Sequence, residues 1–181
     1  MSETATQVTE VPDKSELVER TALVIYGSLT LLGVLDAATY KNVVTTHFAL
    51  ALLVVVTSLS LVIAHAWSTM VARRLIRREK PTRDVLIKEL WLAGAILAPM
   101  ALVLAVIATS LPFEDVETNE SVVATIVSAQ YVLLVGIFVM GTIGARRAGL
   151  SWPRTLTWGL IDVGVGVLIV LLKDALKLFN G

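Results

Sequence analysis

Cysteine is missing from this chain, which excludes disulfides, thiolate metal sites and cysteine nucleophiles together. Histidine is nearly missing as well. His47 and His65 are the two present, and their separation suggests no metal site. Charge is sparse at 17% of 181 residues, and the 15 basic and 15 acidic side chains cancel, a balance that points to no nucleic-acid partner. No HExxH, GxSxG, phosphate-binding glycine loop or paired-aspartate motif occurs. Ser28, Ser58 and Ser60 read as helix-packing serines rather than nucleophiles. The expectation is a protein that is not an enzyme and holds no cofactor.

What is abundant is apolar sequence. Hydrophobic residues make up 56% of the chain, and the mean hydropathy is +0.79. They lie in continuous blocks rather than in the periodic pattern of a soluble domain. Blocks long enough to cross a hydrocarbon core of about 30 Å occur five times, at about 21–40, 46–72, 85–110, 122–145 and 155–179. The fold class that follows is an all-α membrane protein, a bundle of five transmembrane helices over 19–181. Residues 1–18, with Glu3, Glu10, Asp13 and Glu16, read as a mobile acidic tail without the basic start of a signal peptide. Polar residues dot the first span most heavily, which places it inside the bundle. Pro99 lies within the third span and should distort the helix there.

The densest positive block, Arg73-Arg74-Leu75-Ile76-Arg77-Arg78-Glu79-Lys80-Pro81-Thr82-Arg83, joins the second and third spans. A short basic connection between two spans stays in the cytoplasm. Fixing it there puts twelve Lys/Arg inside and Lys41, Lys173 and Lys177 outside. The acidic loop at 112–121 then falls outside, and Trp67, Trp91, Trp152 and Trp158 gather near the inner boundary as an aromatic belt. The predicted topology is N-inside, C-outside, multi-pass. Arg73, Arg74, Arg77 and Arg78 fix that topology and could also attract anionic lipid headgroups. Asn119-Glu120-Ser121 matches a glycosylation sequon.

Ionisable residues within a span are costly, so each is a candidate functional position. Counting residues from the basic turns puts Tyr26, His65, Glu89 and Asp162 in one layer near the inner surface. Ser58, His65 and Thr69 share a helical stripe, at i, i+7 and i+11. Two readings stay open. One is a structural polar tie between helices, with Glu89 in the headgroup region. The other is a proton- or cation-handling cluster in which a carboxylate holds the His65 ring. At the opposite end, Asp36 and Lys173 are a candidate pair, the alternative being that Lys173 extends to the interface and Asp36 is hydrated.

Three stretches, Tyr26-Gly27-Ser28-Leu29-Thr30, Ala64-His65-Ala66-Trp67 and the last span from Gly166 to Lys173, carry a family resemblance. The chain resembles a family of small multispanning integral membrane proteins known mainly from actinobacteria. Its members have a Tyr-Gly pair in the first span, an Ala-His-x-aromatic step closing the second, and a late lysine in the last. The resemblance implies residence in a bacterial inner membrane and assigns no activity; it singles out Tyr26, His65 and Lys173. The span count is also similar to the vacuolar iron transporter fold, but that fold's metal-binding glutamates have no counterpart here. The chain is expected to be a structural or accessory membrane component packing with itself or a partner, or else a proton or cation carrier or channel. Glycines 159, 164 and 166 suggest a homo-oligomer.

Overall fold

Six α-helices occur among the described residues, and two of them join into one span. The computed structural model describes residues 14–39, 44–77, 82–111 and 118–179. The helices are α1 (Lys14–Thr39), α2 (His47–Arg77), α3 (Arg83–Ala93), α4 (Leu97–Ser110), α5 (Asn119–Arg147) and α6 (Trp152–Phe179). A 3₁₀ turn at Gly94–Ile96 links α3 to α4, so five helical segments are long and apolar enough to cross a membrane. No strand occurs among the described residues. The expected five-helix membrane bundle is the observed fold. Residues 1–13 of the acidic tail lie outside the described residues, whereas residues 14–18 are the first turns of α1. An i,i+4 pair there, Arg20 to Glu16 at 2.7 Å, supports the helix.

Pro99 leaves its mark upstream of itself. A proline ring collides with the carbonyl four residues back, here that of Ala95, and the helix tightens to 3₁₀ over Gly94–Ile96. The distortion is a packing node. A Cβ on Gly27 would stand 3.2 Å from both Ile96 and Pro99, so α1 crosses the third span there at a distance that favours glycine.

The helix ends are written locally. Thr118 caps α5 through a reciprocal capping box with Ser121, each backbone N–H donating to the other's hydroxyl at 3.2 Å. The sequon serine is thus engaged in a cap. At the far end of α5, Gly149 takes φ 79°. Its N–H donates to Arg146 O at 3.0 Å and that of Leu150 to Ala145 O at 3.2 Å, the two bonds of a Schellman ending. The α5–α6 turn is therefore tight, and the two helices pack antiparallel.

α1 is the most buried span and α6 the least. α1 contacts every other helix, which agrees with its polar-dotted sequence. Leu31 and Leu35 meet Leu50, Val103, Ile126 and Leu133 in the main core. In lipid such burial removes no surface from water, so close packing rather than dehydration holds these helices together. Two glycines offered as oligomer contacts face inward instead: Gly159 abuts Phe138, and Gly166 abuts Leu134 and Leu32. Gly164 faces open space.

Candidate functional site

The tightest charged contact among the described residues lies at the basic end of the α2–α3 hairpin. α2 continues past the last apolar residue of its span, so Arg73 is helical rather than part of a loop. Thr82 starts α3 by accepting a hydrogen bond from Val85 N, which sets Glu89 two turns inward on the face carrying Leu92 and Ala93. Glu89 is 1% exposed, and its Oε1 accepts from Arg73 Nη2 at 2.5 Å. The Arg73 side chain is 31% exposed. An isolated carboxylate at this depth would be heavily penalised, and the guanidinium offsets that penalty.

α1 brings a second arginine to this level. The same 69-residue offset that sets Gly27 against Ile96 places Leu23 in one cluster with Leu92, and one turn earlier puts Arg20 level with Glu89. The Arg20 Nε and Glu89 Oε2 atoms are both buried without a hydrogen-bond partner. The basic end thus carries a charge layer shared by three spans.

The four residues expected in one layer do not form one cluster. Tyr26 is 51% exposed on α1, its backbone carbonyl accepting from Thr30 Oγ1. Glu89 pairs with Arg73. The His65 ring is half-buried on α2, its Nε2 lacking a hydrogen-bond partner, while its carbonyl accepts from Ser68 and Thr69. Asp162 lies across the bundle on α6, a helix that forms no packed pair with α2. Its carboxylate rests in the notch left by Gly141 on α5, where any Cβ would collide with it, and the two backbones approach closely at Gly141 and Gly159. At the other end Asp36 is buried; the Lys173 side chain lies outside the described residues, and so does an Asp36–Lys173 pair.

The basic turn divides in the same way. Arg73 is committed to Glu89 and Arg74 is exposed. The side chains of Arg77 and Arg78 lie outside the described residues. All four tryptophans of the expected belt are more than half exposed.

Two contacts were not anticipated. Arg73 read as a loop charge, yet its spacing from Ala66 and Met70, at i+7 and i+3, already put it on the inward face of α2. The other is between His47 Nε2 and Thr125 Oγ1, 3.0 Å apart and both buried, which ties the start of α2 to α5. Nothing in the sequence pairs these two positions. No group of three or more potential metal ligands occurs among the described residues. No family model matches the chain, and neither does a curated protein or a solved structure.

Proposed function

We propose that the chain is a structural or accessory component of a bacterial inner membrane, oriented N-inside and C-outside, with no catalytic activity. The observation that carries this reading is the Arg73–Glu89 pair, which commits the most buried charge at the basic end to holding α2 against α3. Two further intramembrane polar groups follow the same logic: His47 meets Thr125 between α2 and α5, and Asp162 fills a notch between α5 and α6. Each lies at a different helix pair, as interhelical ties do. The kinship with small actinobacterial membrane proteins belongs to this reading too.

A second reading, a proton or cation carrier, is favoured by one feature of α2. Ser58 Oγ and His65 Nε2 on α2, and Glu89 Oε2 on α3, are buried without hydrogen-bond partners among the described residues, and Ser58 and His65 follow one stripe of α2. Proteoliposome flux separates the two. The structural reading expects no proton or cation flux above empty vesicles between pH 5.5 and 8. Flux in the wild type that disappears in His65→Ala and Glu89→Gln, with both variants folded, would replace it with the carrier reading.

A further inference from the structure

A groove between α1 and α5 runs from the basic end toward the middle of the bundle. Its outer part, about 570 Å³, is walled by Leu17, Thr21 and Ile25 of α1 and by Ile143 and Gly144 of α5, with Arg147 at the mouth. Its inner part, about 420 Å³, continues past Ile25 and Met140, which line both, to Gly136 and is floored by Pro99 and Leu102 of α4. The hydroxyls along it are turned to their own helix: Thr21 donates to Leu17 O and Ser28 to Val24 O, each at 2.8 Å. The groove therefore presents mostly carbon, most completely in its inner part. From Arg147 to Gly136 it follows three turns of α5, roughly 16 Å at 1.5 Å per residue, close to one leaflet of a hydrocarbon core about 30 Å thick.

The charge at its mouth is uncommitted. Arg146 is held by Leu150 O at 3.0 Å and lies over the Trp152 ring. Arg147 is exposed and has no ion-pair partner among the described residues. We infer that this groove binds an anionic phospholipid, its phosphate at the Arg147 guanidinium and one acyl chain along α1 and α5 as far as Gly136. A guanidinium matches phosphate in two parallel hydrogen bonds, and basic pockets between spans favour anionic headgroups. Asp162 opens on the α6 side of the same cleft beside Gly141. That is six residues of α5 below Arg147, roughly 9 Å, and out of reach of a headgroup phosphate. The site goes beyond the structural role proposed above and needs only that the bundle sits in a bilayer.

The test is native mass spectrometry of the full chain in detergent, titrated with phosphatidylglycerol and with phosphatidylcholine of the same acyl chains. Wild type is expected to prefer phosphatidylglycerol by about fivefold, the contribution of one arginine near the headgroups. Arg147→Gln is expected to erase that preference, while Arg154→Gln, an exposed arginine at the same end and outside the groove, leaves it. Gly144→Leu, whose Cβ would meet nothing within 4 Å, is expected to weaken both lipids by filling the groove. Ala22→Leu narrows the same stretch from α1 and serves should the first variant unfold. Equal binding of the two lipids by wild type would overturn the site. So would an Arg154→Gln effect as large as that of Arg147→Gln, or unchanged binding in a folded groove-filled variant.

Discussion

Glu89 and Asp162 show two ways of housing a carboxylate among apolar helices. Glu89 has an arginine opposite it; Asp162 has a missing side chain opposite it, at Gly141. The second arrangement predicts a contrast between neighbouring glycines. Gly141→Ala forces Asp162 and the α5–α6 crossing apart and should destabilise the protein by about 1–3 kcal/mol, the usual range for overpacking. Gly144→Ala meets no atom within 4 Å and should be neutral or gain up to about 1 kcal/mol from helix propensity. SDS titration followed by circular dichroism measures both, and equal effects would show that the carboxylate yields without resistance. Glu89's place on α3, six residues past Arg83, was legible. Its partner was not, because hydropathy ends a span at the first arginine while the helical backbone of α2 carries on to Arg77.

At the scale of elements, the five spans were legible because each must be apolar over about 20 residues. Their ends were less so. α1, α2 and α5 run beyond the apolar blocks at 21–40, 46–72 and 122–145, since polar residues extend a helix into the interface without raising its hydropathy. Pro99 announced a distortion, but its position at Gly94–Ile96 follows from the carbonyl the ring displaces rather than from the proline itself. The α5–α6 turn hangs on Gly149, whose φ of 79° falls where a β-branched residue is strained. Gly149→Val should therefore destabilise by about 1–2 kcal/mol and loosen the Arg146–Trp152 contact, which Trp152 fluorescence, read in a variant lacking the other three tryptophans, would report. Unchanged stability would mean the turn can take another form.

For the whole molecule, the absence of cysteine turns topology into a direct experiment. Single cysteines introduced at Arg74 and Trp152 should resist a membrane-impermeant maleimide in intact cells and react after permeabilisation. A cysteine at Glu120 should react in intact cells; the reverse pattern would invert the bundle. Which helices touch was beyond the sequence, because lipid-facing and helix-facing positions are equally apolar and hydropathy does not separate them. That is why Tyr26, His65, Glu89 and Asp162 could share a predicted depth and yet lie at separate places in the bundle.

The central claim is that the most buried charge at the basic end is an interhelical tie, and a double-mutant cycle across Arg73 and Glu89 tests it most directly. Arg73→Leu removes the guanidinium bonded to the buried carboxylate, leaving Arg20 level with it but not bonded to it, and should lose up to about 3–5 kcal/mol of stability. Replacing both residues with leucine should recover most of that loss, since an apolar pair of similar volume does as well as a buried ion pair. Unfolding of the wild type, the two single variants and the double variant gives the coupling. A strong coupling with a stable double variant is the predicted result. A double variant no more stable than Arg73→Leu alone would contradict the account and leave Glu89 as a group kept for something other than holding the helices together.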